Sequence, residues 1–138
     1  MLVKNYYSEI ACALSGNSAK VTDITNGMLT VTLFGSENNG IKLRYGSGAT
    51  APTINDYKLE NEIGAVRATV VQTNESTSVT AFITNAGNNT IYIRELAVSA
   101  QIKSSSSLAK EVIFSRTVLD ETIELLPGDM VAINTQFA

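Results

Sequence analysis

The stretch from residue 79 to residue 84, Val-Thr-Ala-Phe-Ile-Thr, decides the fold class of this 138-residue chain. Val79, Ala81 and Ile83 alternate with Thr80 and Thr84, so these three apolar side chains share one face and the two hydroxyls lie on the other. A period of two is typical of a half-buried β-strand, and β-branched residues favour a pleated sheet. The stretch therefore predicts a strand whose inner face belongs to the core.

The same pattern recurs on both sides of this stretch. The predicted strands cover residues 28–34, 41–45, 66–70, 79–84, 91–102, 112–118, 123–125 and 131–137. Short strands separated by frequent turns are typical of an antiparallel sandwich. We predict a mainly β fold, an Ig-like or jelly-roll-like antiparallel β-sandwich of about eight strands with a short N-terminal helix. The expected core is Val66, Val70, Val79, Ile83, Ile91, Val98, Phe114, Ile123 and Ile133.

Three local features refine this prediction. Asn26-Gly27 is a turn signal, and Asn38-Asn39-Gly40 suits a tight hairpin between the strands at 28–34 and 41–45. In the strand at 91–102 the apolar residues change parity near Arg94-Glu95. One extra residue reconciles the two halves, so we predict a β-bulge or sharp bend at that point.

The chain is expected to be a single domain, 1–138. Residues 1–16 form an N-terminal helix or arm, because Tyr6, Ile10 and Leu14 are spaced for one helical stripe over residues 4–15. Residues 17–138 form the sandwich, which carries a long loop at 46–64. A helix this short needs a docking partner, and long irregular loops are often functional.

These two segments carry the predicted assembly interface. Its residues are Tyr6, Ile10, Leu14, Ile54, Tyr57 and Leu59. They combine apolar groups with a polar surround, as protein interfaces do. The alternative is that the helix caps its own sandwich and the loop packs on its own sheet.

The composition argues against an enzyme. There is no His, and Cys12 is the only cysteine, so the common nucleophile–base pairs cannot be built. We expect no cofactor and no metal. A net charge of −3 with scattered Lys and Arg predicts no direct binding of nucleic acid. No apolar run is long enough for membrane insertion, and Met1–Asn5 lacks an apolar signal segment, so we expect synthesis in the cytoplasm.

Carboxylates in the long loop leave two chemical alternatives open. Asp56, Glu60 and Glu62 could form an acid–base pair for glycoside hydrolysis or, with loop carbonyls, a calcium site. No Asp-x-Asp-x-Asp-Gly loop and no Trp support either one. Solvated loop charge is the favoured interpretation. A Lys–Asn isopeptide bond, as in some adhesin-like β-domains, is a further alternative. The sequence does not show which Lys and Asn side chains would be paired, and the unmodified chain is the favoured interpretation.

Two segments resemble small virion proteins of tailed bacteriophages. Residues 45–63 contain Gly-Ser-Gly-Ala-Thr-Ala-Pro followed by Asp56, Leu59 and Glu62, which is similar to the G-[ST]-G-x-T-x-P-x-x-x-D-x-x-L-x-x-E stretch of those proteins. Residues 82–129, with Thr-Ile-Tyr-Ile-Arg-Glu-Leu at 90–96 and Pro-Gly-Asp at 127–129, resemble their C-terminal half. Ala97 stands where those proteins usually have Gly.

The resemblance implies a non-enzymatic virion structural protein, a capsid-decorating or neck or tail subunit. Its partners would be copies of itself and other virion proteins, with no small-molecule substrate, and its location would be the virion. The alternative function is a receptor- or glycan-binding module of a fibre or adhesin. Exposed aromatic residues at one end of the sandwich would favour glycan binding.

Overall fold

The computed structural model describes residues 1–6, 19–31, 36–72, 77–103 and 109–137. These residues form nine strands. They are β1 Ala19–Thr22, β2 Met28–Val31, β3 Ser36–Gly46, β4 Glu62–Arg67, β5 Thr69–Gln72, β6 Thr77–Thr84, β7 Ile91–Lys103, β8 Ala109–Leu125 and β9 Met130–Phe137. Residues 4–6 are helical. The rest of the helix predicted over 4–15 lies outside the described residues.

All of the strand pairs are antiparallel, and they build three sheets. A four-stranded sheet has the order β4-β3-β7-β8, a three-stranded sheet has the order β5-β6-β9, and β1 and β2 form a separate hairpin. The main core contains side chains from both larger sheets, including Leu43, Ile83 and Ile93. The predicted mainly β antiparallel sandwich is therefore confirmed.

Most of the predicted core residues lie in that core. Val79, Ile83, Val98 and Ile133 are buried. Val66, Ile91 and Ile123 pack against them as half-buried side chains, and Phe114 packs in a separate small cluster. The prediction for Val70 is wrong, because its side chain is 44% exposed. Its strand β5 is only four residues long and lies at the edge of the three-stranded sheet.

The strand predicted over 66–70 is also wrong as a single element. The chain leaves the four-stranded sheet after Arg67 and enters the three-stranded sheet at Thr69. Ala68 lies at the crossing point, and its amide donates to the Ile41 carbonyl at 2.9 Å. The apolar alternation continues across the crossing, so the pattern alone contains no sign of the change of sheet.

The turn chemistry at Asn26-Gly27 is confirmed. Asn26 has a φ of 66°, in the left-handed region that Asn and Gly tolerate best. Asp23 closes this turn between β1 and β2, since its Oδ1 accepts from the backbone amides of Thr25 and Gly27 at 2.9 and 2.8 Å. Asp23, the first residue of the connection between β1 and β2, thus stabilises the predicted turn.

The hairpin predicted at 38–40 is wrong. β3 runs without a turn from Ser36 to Gly46, and β2 pairs with β1 instead. Gly40 has a φ of +65°, and the register of β3 against β7 shifts between Ser36 and Ile41. Gly40 therefore adopts the left-handed conformation at an irregular position inside a long strand. Left-handed residues are needed in both settings, which is why the sequence signal is the same.

The four-stranded sheet has a second covered face, opposite the main core. Val3, Leu59, Ala97 and Ile113 form a buried cluster there. Leu2 makes a bridge with Ser115 on β8. The N-terminal segment thus pairs along the edge of β8, and the Val3 side chain covers this face together with Leu59 of the long loop.

Candidate functional site

Two charged side chains are buried beneath the long loop. Glu95 on β7 has no exposed surface, and Arg116 on β8 is 3% exposed. The predicted bulge positions Glu95, because the register of β7 against β8 shifts between Ile93 and Glu95. Ile93 and Leu96 consequently both pack in the main core, while Glu95 lies on the opposite face of the sheet.

The carboxylate of Glu95 accepts four hydrogen bonds. Oε1 accepts from the backbone amides of Gly48 at 3.1 Å and Asn61 at 2.7 Å. Oε2 accepts from the backbone amide of Glu60 at 2.9 Å and from Arg116 Nε at 3.0 Å. Three of these donors belong to the loop, so one buried side chain fixes both ends of it.

Gly46 and Gly48 provide the space for this carboxylate. A Cβ atom at either position would lie 2.6 Å from Glu95 Oε1, closer than real Cβ atoms approach an oxygen. The Gly-Ser-Gly sequence thus has a steric role here. It lets the backbone come near enough to Glu95 for the Gly48 amide to donate.

Arg116 ties the strand to the middle of the loop. Its Nη1 donates to Asp56 Oδ2 at 2.9 Å, and its Nη2 donates to the Thr50 carbonyl at 3.1 Å. Glu60 Oε2 lies 3.8 Å from Nη2. A guanidinium offers several donors in a fixed planar arrangement, which suits a group that must hold separate parts of a loop together.

The loop carboxylates are also bonded within the loop. Glu60 Oε2 accepts from the amides of Ala49 and Thr50, both at 2.9 Å. Asp56 accepts from the amide and the hydroxyl of Thr53 at 2.9 and 2.8 Å. The interpretation of these carboxylates as solvated loop charge is therefore incomplete, because they organise the backbone around them.

A second ion cluster adjoins the first on the same face. Arg44 Nη1 lies 2.6 Å from Glu62, and its Nη2 lies 3.1 Å from Glu111. Ser99 joins this cluster by accepting from Arg44 Nε at 3.0 Å and donating to Glu111 at 2.7 Å. Among the described residues, no group of three or more His, Cys, Asp or Glu side chains is arranged to hold a metal ion.

A cleft of about 290 Å³ lies beside the loop. Thr50, Thr53, Tyr57, Lys58 and Arg116 are among the residues that line it. The Lys58 ammonium lies 5.8 Å from the centre of the Tyr57 ring. The cleft therefore combines an aromatic ring, cations and carboxylates at the surface of a fixed loop.

The structure separates the predicted interface residues. Ile54 is 52% exposed, and Tyr57 and Tyr6 are half-buried. Leu59 is a correction: it is 3% exposed and packs with Val3 in the protein's own interior, so it is not presented to a partner. Ile10 and Leu14 lie outside the described residues.

The start of the helix and the tip of the loop are direct neighbours. The Lys4 amide donates to the Ile54 carbonyl at 2.7 Å. We call the surface formed by Lys4, Tyr6, Ile54 and Tyr57 the N-terminal/loop surface. The sequence predicts that these segments share one interface, and the hydrogen bond brings them together within one chain.

The roles of Glu95 and Arg116 were not predicted from the sequence. The phase slip at Arg94-Glu95 marked the bulge but not the buried charge that it turns inward. Both residues lie within residues 82–129, and the Gly-Ser-Gly motif lies within residues 45–63. The register of β7 and β8 is needed to see that these two ranges meet at the ion pair of Glu95 and Arg116.

Comparisons with protein-family models, curated proteins and solved structures found no match for this chain. Within the described ranges, no helix is long and apolar enough to cross a membrane.

The ion pair at Asp56 predicts a loss of stability in acid. Burial raises the pKa of Asp56, but hydrogen bonds from Thr53 and Arg116 outweigh it and hold the pKa below its ordinary value of 3.8. A carboxyl whose pKa is lowered by folding stabilises the protein above the unfolded pKa, and that contribution disappears as the pH falls through the folded pKa. We expect Asp56→Asn to be less stable than the parent at pH 7.

Chemical denaturation from about pH 7 to about pH 2 tests this expectation. The difference in free energy of unfolding between parent and Asp56→Asn should shrink below about pH 4 and approach its minimum at the lowest pH. A difference that stays constant over the whole range would show that the Asp56 charge contributes nothing to the loop.

Proposed function

We propose that this protein is a non-enzymatic structural subunit of a tailed-phage virion, located on the capsid, neck or tail, and that it assembles through the N-terminal/loop surface. The observation that carries the proposal is the hydrogen bond between Lys4 and Ile54, since it joins the two predicted docking segments into one surface. On that surface Ile54 is an exposed apolar side chain. Its partners are other virion proteins.

The fixed loop supports this function. Glu95 and Arg116 hold the loop backbone at Gly48, Thr50, Glu60 and Asn61. A surface that is ordered before binding loses less conformational entropy when a partner docks. An assembly subunit therefore benefits from a loop that is pinned from below, with an apolar residue left at its tip.

The resemblance to phage virion proteins supports the same function from a different direction. Its two segments meet at one structural element, where Gly46 and Gly48 make room for Glu95. The residues of the two segments fix the backbone of the loop at 46–64, and this structural role is sufficient to explain why both segments are present. They do not require a substrate.

Incorporation into virions tests the proposal. Ile54→Asp places a charge at the apolar tip, and Asn55→Asp places the same charge at the next exposed position. In phage particles assembled with each variant and purified on a density gradient, quantitative mass spectrometry should find the parent and Asn55→Asp at similar copy number. Ile54→Asp should fall about tenfold or more, because burying an unpaired charge in an apolar contact is costly.

Two results would contradict the proposal. One is the absence of the parent chain from purified particles. The other is equal incorporation of Ile54→Asp and Asn55→Asp, which would remove Ile54 from the contact. Circular dichroism of each purified variant confirms that the β fold is retained, since both positions are exposed.

A receptor- or glycan-binding module is the second candidate. The cleft beside Tyr57 favours it, because sugar sites combine an aromatic face with carboxylates and other polar groups. Against it, Asp56 and Glu60 already accept hydrogen bonds from the loop itself. A glycan array probed with the parent and Tyr57→Ala distinguishes the two functions: saturable binding that Tyr57→Ala abolishes would favour the glycan module.

A further inference from the structure

The last strand, β9, has an edge without the usual protection. Its eight residues, Met130–Phe137, include no charged residue and no proline. Among the described strands it pairs with β6 only, in eight successive pairs without a register shift. Edge strands of natural proteins are commonly blunted by Lys, Pro or bulges, because an open ladder recruits other strands. β9 carries none of these devices.

A groove with apolar and polar lining runs beside this edge. It has a volume of about 430 Å³ and lies between the two larger sheets, where β8 and β9 are the neighbouring edges. Leu96, Leu119 and Ile133 line it together with polar groups of β8 and β9. The interior of the sandwich thus opens to the surface along the same side as the unprotected strand.

We propose that β9 pairs with β9 of a second copy of this chain in an antiparallel arrangement, which joins two three-stranded sheets into one of six strands. Directly opposite residues in such a pair point to the same face of the sheet. Ile133 points inward and Asn134 outward, so a two-fold axis through either residue keeps inner faces together. Apolar side chains from the partner strand then extend the inner layer over the groove.

Charge favours a second copy as the occupant. A strand without charges meets itself without repulsion. The neighbouring edge strand β8 carries Asp120, Glu121 and Glu124 toward its C-terminal end. β8 ends at Leu125 and β9 begins at Met130, so these acidic residues lie toward the start of β9. The starts of two antiparallel β9 strands lie about 20 Å apart, beyond the screening distance of about 8 Å at physiological salt.

Sedimentation equilibrium of the full chain tests this pairing. The parent is expected to shift with concentration, between about 1 μM and about 1 mM, from the 14.7 kDa of one chain to twice that mass. Asn134→Lys places two like charges across the two-fold axis and should weaken dimerisation about tenfold or more. Thr84→Lys adds the same charge on the same face but on β6, and should dimerise like the parent.

Asn134→Ala separates charge from the loss of a side-chain contact. The Asn134 amide donates to Thr80 Oγ1 at 2.9 Å, and the alanine variant loses that bond without gaining a charge. It should still dimerise. A parent that remains monomeric at every concentration overturns the proposal. So does a mass that rises beyond two copies, which would indicate head-to-tail pairing of β9 with another edge, or an Asn134→Lys variant that dimerises like the parent.

The pairing stands independently of the proposed virion role. It uses β9 and the groove, whereas the N-terminal/loop surface lies on the other side of the four-stranded sheet. Ile54→Asp is therefore expected to leave the dimer unchanged. A monomeric parent that still enters virions would overturn the pairing alone, and a dimeric parent absent from virions would overturn the virion role alone.

Discussion

Replacing Glu95 with Gln is expected to lower the free energy of unfolding by about 3–5 kcal/mol, although the two side chains have nearly the same shape. Both oxygens of Glu95 face only donors: two backbone amides at Oε1, and one amide with Arg116 at Oε2. A glutamine must place its NH₂ group against one of these pairs. Either orientation leaves buried donors facing each other, and Arg116 loses a charged partner.

Urea denaturation of the parent and Glu95→Gln measures this loss. Glu62→Gln is the matched control, because Glu62 is also ion-paired but its side chain is 33% exposed. A change of less than about 1 kcal/mol is expected there. If Glu95→Gln were as mild as Glu62→Gln, the loop would not depend on the buried carboxylate.

Ile83→Ala is expected to destabilise the protein by about 2–5 kcal/mol. Ile83 has no exposed surface and packs in the main core between the two larger sheets. Truncating it leaves a cavity in a layer whose neighbours are fixed by strand pairing on both sides. Thermal or urea unfolding followed by far-ultraviolet circular dichroism measures the loss.

Phe82→Ala is the control for this prediction. Phe82 is the next residue on the same strand, but it points to the outer face and is 58% exposed. Its truncation removes more atoms and should still cost less than about 1 kcal/mol, the range of strand propensity at exposed sites. A larger loss for Phe82→Ala than for Ile83→Ala would contradict the assignment of the two faces of β6.

Local patterns in the sequence predicted the features that are themselves local. Alternation placed Val79 and Ile83 in the core, and the parity change near Arg94-Glu95 located a bulge that the register of β7 and β8 contains. The turn at Asn26-Gly27 was likewise visible because a left-handed residue is needed within a few positions of the strand ends.

Features that depend on distant partners were not visible in this way. The alternation from Val66 to Val70 continues while the chain changes sheets at Ala68, so the exposed edge position of Val70 could not be read from it. The pairing of Glu95 with Arg116 depends on the register of two strands, since either residue alone is compatible with a solvated surface. The sequence therefore predicted the long loop, but it did not predict that Glu95 and Arg116 hold the loop in place.

The order in which the chain is made gives the N-terminal segment a further significance. The Val3 amide donates to the Phe114 carbonyl at 2.9 Å, so a residue near the start of this sequence depends on one that is translated much later. At about 5–20 residues per second, roughly ten seconds of synthesis separate them. Until β8 has left the ribosome, Val3 lacks this anchor and Ile54 lacks the Arg116 tether beneath its loop. A nascent chain therefore cannot complete the N-terminal/loop surface before β8 has been synthesised.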